Sequence, residues 1–135
     1  MKNIAVVCGG YSGERVVSMR SAAMVMENMD RSKFHPIQIV IEESRWFARL
    51  DEQEIDVNRN DFSVQTQEGI IRFDGVFMMI HGTPGENGLM QGYFEMIGLP
   101  CTTGDVLNMA LTFNKKATTR ALGAMGYRVA KSVVV

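Results

Sequence analysis

The stretch that decides the fold is Asn3-Ile4-Ala5-Val6-Val7-Cys8, which halts at Gly9-Gly10. A nearly continuous apolar run rich in Val and Ile is the pattern of a strand covered on both faces, because a strand with one wet face alternates instead. Such a strand belongs in the middle of a parallel sheet. Working outward, Val16, Met19, Ala23, Met26 and Met29 recur at spacings of three and four, with Arg20, Glu27 and Asn28 outside the stripe. This predicts a helix from about Arg15 to Met29. His35 to Ile41 (HPIQIVI) is extended and β-branched. A strand that returns beside the first after such a helix closes a βαβ unit, whose crossover is almost always right-handed.

Further along, residues 42 to 74 are the most polar part, yet they hold Trp46-Phe47 and the alternation Phe62-Ser63-Val64-Gln65. They predict an edge hairpin with Glu68-Gly69 near its turn. Gly75 to Ile80 (GVFMMI) is a second buried strand that runs straight into the glycine-dense loop His81 to Gly88. Leu89, Tyr93, Met96 and Ile97 mark a helical face that Gly98-Leu99-Pro100 ends, and Cys101 to Thr103 is a short strand or connection. Asp105 caps a helix through Thr112, Asn114 caps another from Lys115 to Met125, and Gly126 closes it. The expected fold is therefore α/β: a doubly wound, mostly parallel sheet with helices on both faces, Rossmann-like, with an edge hairpin. The final apolar run, Val133 to Val135, stops without a turn or helix after it. Residues 1–126 are thus expected to be one domain and 127–135 the start of a following domain absent from the chain.

Composition narrows the partner. At 135 residues the chain is one domain's worth, and its 46% apolar content suffices for a core without staples. Fourteen Lys+Arg against fifteen Asp+Glu leave a net charge of −1. That balance removes the electrostatic case for nucleic acid or an anionic membrane and favours a small partner. No run approaches the roughly 20 apolar residues that span a bilayer, and the start lacks a secretory signal, so a cytoplasmic location is expected. Cys8 and Cys101 are far apart and form neither a CxxC pair nor a Cys/His cluster, so they read as buried thiols rather than as zinc ligands or a disulfide. No metal site is expected among these residues. The eleven methionines, Met78 and Met79 included, read as core filler.

In open parallel sheets, ligands bind outside the carboxyl ends of the strands. Two loops qualify. Gly9-Gly10-Tyr11-Ser12-Gly13-Glu14-Arg15 leads into the first helix, so its glycines permit close backbone approach and the helix start offers free N–H groups to an anion. Glu14 stands there too. An acid in a first turn ordinarily just complements the helix dipole, by about 0.3–1 kcal/mol; its functional reading is a charge that holds a substrate ammonium or orients a reacting group. Arg15 reads as a solvated or locally paired cation. In the second loop, His81 sits where a strand ends, and Glu86 reads as an acceptor for N–H groups of its own loop. Lys115 and Lys116 begin a helix, where cations are mildly unfavourable against the dipole. The first loop lacks both the G-x-G-x-x-G spacing of a dinucleotide site and the Gly-Lys-Ser/Thr of a P-loop, which sets a nucleotide-dependent oxidoreductase aside.

Three segments together, GGYSGER with the following VVS (Gly9 to Ser18), HGTPGENGLMQGYFEMIGLPCTT (His81 to Thr103) and GDVLNMALTFNKKATTRAL (Gly104 to Leu122), resemble the N-terminal, pre-ATP-grasp domain of D-alanine:D-alanine ligases in order and spacing. The resemblance implies a cytoplasmic, ATP-dependent enzyme of peptidoglycan precursor synthesis whose later domains carry the ATP-grasp fold, with Mg²⁺ assisting. In that family ATP phosphorylates the carboxylate of a first D-alanine, and the amine of a second attacks the acyl phosphate. By likeness, Glu14 is the catalytic glutamate that holds the first ammonium, and it acts with a serine and a tyrosine from later domains. Val17 lines the first D-alanine pocket, His81 lies close to that substrate's carboxylate, and Lys115 approaches the nucleotide. ATP and Mg²⁺ would be bound mainly by the later domains, and the family habit suggests a homodimer. Departures such as Glu14-Arg15-Val16-Val17-Ser18 and Gly85-Glu86-Asn87-Gly88 leave room for D-lactate or D-serine as acceptor. The alternative expectation is a free-standing small-ligand or receiver-like binding module, a reading weakened by the lack of any acid in Asn3 to Gly10.

Overall fold

A computed structural model describes residues 1–133. In chain order it runs β1 (Lys2–Gly9), α1 (Arg15–Asn28), β2 (Phe34–Ile41), β3 (Trp46–Leu50), β4 (Gln53–Asn58), β5 (Ser63–Thr66), β6 (Gly69–Ile71), β7 (Gly75–Met78), α2 (Leu89–Met96), α3 (Val106–Phe113) and α4 (Lys115–Ala124). The strands form one sheet in the order β6-β5-β4-β3-β2-β1-β7. β1 lies between β2 and β7, one strand in from the β7 end rather than in the middle of the sheet, and pairs in parallel with both.

Side chains along β1 alternate between two covered faces, as a strand's period of two requires. Ala5 and Val7 join Ile37, Ile39, Ile41, Val76 and Met78 beneath Met90 and Phe94 of α2. Val6 and Cys8 join Val40 and Phe47 beneath Ala22 of α1, with Met19, Val25 and Met26 packed around them. The α/β class, with helices on both faces, is therefore observed. "Mostly parallel" is corrected, because the pairings β2–β3, β3–β4, β4–β5 and β5–β6 are all antiparallel. The reason is connection length: β3 and β4 are joined by Asp51-Glu52 alone and β5 and β6 by Gln67-Glu68 alone, far short of the dozen or so residues a parallel return needs. Asp51 and Glu52 have φ of 46° and 66°, the left-handed pair of a tight hairpin turn. The expected edge hairpin exists as β5–β6, preceded by two further strands.

Two helical faces are also corrected. In α1 the fully buried positions are Ser18 and Ala22, while Val16 and Ala23 are exposed. Small residues face the sheet because the helix lies close to β1, where Gly9 donates its backbone N–H to Ser18 Oγ at 2.9 Å. In α2 the buried set is Met90, Gln91 and Phe94, and Leu89 and Met96 face outward. The polar segment 42–74 contributes more to the core than its composition suggests. Trp46, Phe62 and Phe73 meet Tyr93 and Phe94 of α2 in a chain of tilted and edge-to-face aromatic contacts, and Tyr93 Oη donates to Arg59 O at 2.8 Å.

Cys101 forms a single parallel bridge with Val76 beside β7. Cys8 is buried but Cys101 only half so, and Met24, Met96 and Met125 are exposed rather than core filler. Asp105 Oδ1 caps α3 by accepting from Asn108 N–H at 2.7 Å, and Asn114 Oδ1 caps α4 by accepting from Ala117 N–H at 3.0 Å. Neither helix has a buried residue. Of the expected terminal run, Val134 and Val135 lie outside the described residues.

Candidate substrate cradle at the strand ends

Parallel pairing of β1 with β7 places the loops that follow them side by side at one rim of the sheet. The two loops interlock. Tyr11 N–H donates to Thr83 O at 3.4 Å, and Ser12 Oγ donates to His81 O at 2.9 Å. One glycine from each loop makes the approach possible. Gly10 has φ +81°, and a Cβ there would stand 2.8 Å from Ile80 Cγ2. Gly82 has φ +70°, and a Cβ there would stand 2.7 Å from Ser12 Oγ and 3.0 Å from Glu14 Oε2. A larger residue at Gly82 would press first on Ser12 and then on the Glu14 carboxylate.

Glu14 occupies the N-cap position of α1, yet its side chain makes no capping bond. Its carboxylate is exposed and has no hydrogen-bond or ion-pair partner among the described residues. Arg15, the nearest cation in sequence, pairs instead with Glu42 at 2.5 Å. That bond turns the guanidinium toward the end of β2 and matches the locally paired reading. Because α1 starts uncapped, the N–H groups of Val16 and Val17 have no protein partner among the described residues. Unpaired N–H groups at a helix start attract an anion. A free carboxylate beside free amides can hold both ends of a zwitterion.

Val17 follows Glu14 by three positions, so the two share a face of the helix start, and half of its surface is open to solvent (50%). His81 is half-buried; its carbonyl is taken by Ser12, and its ring makes no hydrogen bond among the described residues. Glu86 Oε2 accepts from Gly82 N–H at 2.8 Å, the own-loop role expected for it. Behind the loop, buried Gln91 donates Nε2 to Gly85 O at 2.6 Å and to Thr103 Oγ1 at 3.1 Å, fastening it to the Cys101–Thr103 connection. The structure thus brings Glu14, Val17 and the His81 loop to one rim. Lys115 stands apart from them. It is exposed at the start of α4, which packs on α3, and its ammonium has no partner among the described residues.

Sequence reading overlooked Ser12, Gly82 and Gln91. A serine two residues before an uncapped helix start is a turn signal, but nothing local reveals that its hydroxyl reaches a residue 69 positions away. An apolar groove of about 550 Å³ lies elsewhere, lined by Ile4, Val25, Met29, Phe34, Phe77 and Pro100 at the other end of β1, and includes none of the candidate residues.

The fold is of the α/β class, with two interlocked loops at the carboxyl ends of adjoining parallel strands. The chain belongs to the family described as the D-ala D-ala ligase N-terminus, which it matches over residues 3–104. It is 47% identical over 131 residues to the D-alanine–D-alanine ligase of Porphyromonas gingivalis, covering 96% of this chain and 40% of that protein. The corresponding ligase of Flavobacterium johnsoniae is 44% identical over 133 residues, covering 98% and 41%. Among solved structures, the VanG D-Ala:D-Ser ligase from Enterococcus faecalis superposes with a TM-score of 0.83 at 33% identity, covering 96% of this chain and 43% of that one. The chain therefore spans about two-fifths of the length of the curated relatives it matches.

Proposed function

We propose that this protein is an ATP-dependent ligase joining D-alanine to D-alanine for peptidoglycan synthesis, and that residues 1–126 are its amino-terminal substrate domain. In this reading 127–135 lead into a following ATP-grasp domain. The observation that carries the proposal is the Glu14 carboxylate, which among the described residues makes no cap and no ion pair and is seated against Gly82 of the His81 loop. A carboxylate so placed holds the ammonium of the first D-alanine. The helix-start amides and His81 face that substrate's carboxylate, and Val17 covers its small side chain. Fixed amide dipoles of this kind cost no reorganisation when charge develops at the reacting oxygens. ATP, when bound, supplies the phosphoryl group that activates the carboxylate, and the free ammonium of Lys115 suits it to a phosphate. Among the described residues no three His, Cys, Asp or Glu side chains cluster as metal ligands, so the proposal assigns Mg²⁺ to the later domains. No helix of the described residues is long and apolar enough to cross a membrane. A cytoplasmic homodimer is part of the reading by family likeness.

The test is phosphate release from ATP by the full-length protein. Release that requires D-alanine and is not supported by L-alanine is expected; release indifferent to D-alanine overturns the reading. The likeness to a D-Ala:D-Ser ligase motivates D-serine as a second acceptor. Mass analysis of the dipeptide formed from a D-alanine and D-serine mixture decides between them. The 135-residue chain alone is expected to give no turnover.

A further inference from the structure

A serine hydroxyl offers one donor and two acceptor sites. At Ser12 the donor goes to His81 O at 2.9 Å, and an acceptor site takes the backbone N–H of Glu14 at 3.2 Å. One oxygen therefore ties the loop after β7 to the residue that bears the free carboxylate. The facing wall is Gly82, where a Cβ would meet Ser12 Oγ at 2.7 Å, Ser12 Cβ at 2.9 Å and Glu14 Oε2 at 3.0 Å. That wall is itself anchored, since Gly82 N–H donates to Glu86. Among the described residues no other side-chain hydrogen bond joins the segment Ser12–Glu14 to the second loop. The Arg15–Glu42 pair runs to β2, and the α1 start is uncapped.

We propose that Ser12 is the positioning residue of the cradle: its hydroxyl sets the separation between Glu14 and the His81–Gly82 loop, and with it the fit of the first amino acid. This rests on the ligase reading and adds to it a residue that acts through Glu14 and His81 rather than on the reacting atoms. Without the hydroxyl, the His81 carbonyl loses its donor and the Glu14 amide its acceptor, and among the described residues the two loops keep only the longer backbone bond from Tyr11 N–H to Thr83 O at 3.4 Å. In the ligase reading the later domains bind most of the nucleotide, so loss of the Ser12 hydroxyl should leave its affinity alone.

The experiment is Ser12→Ala in the full-length protein, which keeps the side chain's shape and removes both bonds. The expected result is a kcat/KM for D-alanine lower by about 10–100-fold, the scale of a small misplacement of reacting groups. KM for ATP should stay within about twofold, a split that general loosening of the fold would not produce. Ser12→Cys, with a weak S–H donor in nearly the same place, should fall between wild type and alanine, and it decides by the same contrast should Ser12→Ala fail to fold. D-alanine constants that stay within about twofold of wild type, or a KM for ATP that worsens in step with them, overturn the proposal. A wild-type protein with no D-alanine-dependent phosphate release removes the ligase reading and this proposal together. An active wild type beside an unaffected Ser12→Ala removes this proposal alone.

Discussion

Helices α2 and α3 have the same length, eight residues, and opposite fates. α2, Leu-Met-Gln-Gly-Tyr-Phe-Glu-Met, buries Met90, Gln91 and Phe94 against the sheet and the aromatic residues of the β3–β6 segment. α3, Val-Leu-Asn-Met-Ala-Leu-Thr-Phe, is no less apolar and buries nothing, with Leu107 74% exposed. α4 and the residues after it behave like α3, with Met125 73% exposed. Apolar spacing makes a helix able to pack; a facing surface decides whether it does. The closed part of the molecule, residues 2–103, has that surface and carries the proposed cradle on its rim.

The largest expected effect probes the closed part. Phe94→Ala removes a side chain only 1% exposed at the meeting point of α2 and Phe62. It should cost about 3–5 kcal/mol, read as a lower urea midpoint with an unchanged slope. A loss no larger than that of a surface change would break the comparison. Next comes the rim, where charge rather than packing is at stake. Glu14→Gln in the full-length protein should lower kcat/KM for D-alanine by about a hundredfold. Its thermal midpoint should hardly move, because the exposed carboxylate has no partner to lose among the described residues. Wild-type rates would reduce Glu14 to a helix-start charge.

A smaller effect reports on the buried face under α1. Burial pushes the Cys8 thiol up to about 11, with Gln38 only partly offsetting it. The folded state thus keeps the thiol neutral where the unfolded chain would ionise it. The stabilisation is complete below the ordinary thiol pKa of 9.0 and is lost as pH rises toward 11. Two units correspond to about 2–3 kcal/mol. Comparing the pH dependence of stability in wild type and Cys8→Ala isolates this contribution, and parallel curves would contradict it. The smallest effect belongs to the open helices. Leu107→Ser should change the stability of the 135-residue chain by no more than about 0.5 kcal/mol. A loss comparable to that of Phe94→Ala would mean that α3 is covered after all.

Much of the scaffold was legible before the structure. β1, α1 and β2 fall within a residue or two of their expected limits, both caps at Asp105 and Asn114 form, and Glu86 and Arg15 take the local partners anticipated for them. The two caps and the Glu86 bond are short-range events between groups three or four positions apart, whereas the Arg15–Glu42 pair spans 27 positions. The antiparallel strands β3 and β4 were less legible because Asp51-Glu52 lacks the Asn-Gly signature of a tight hairpin, although it adopts the same left-handed backbone. The true buried face of α1 was missed because Ser18 carries no apolar signal; its hydroxyl is satisfied by Gly9 only once the helix lies on the sheet.

The sequence by itself determined where β1, α1, β2, α3 and α4 begin and end to within a residue or two, which loops are rich in glycine, and that a carboxylate stands at the start of the first helix. Only the tertiary structure decided that this carboxylate lies beside a glycine 68 positions away and that Ser12 spans the two loops. Contacts of that separation arise from how β1 and β7 pair. Strand pairing is settled by burying both faces of the sheet together, a property of the whole core that no local window of residues contains.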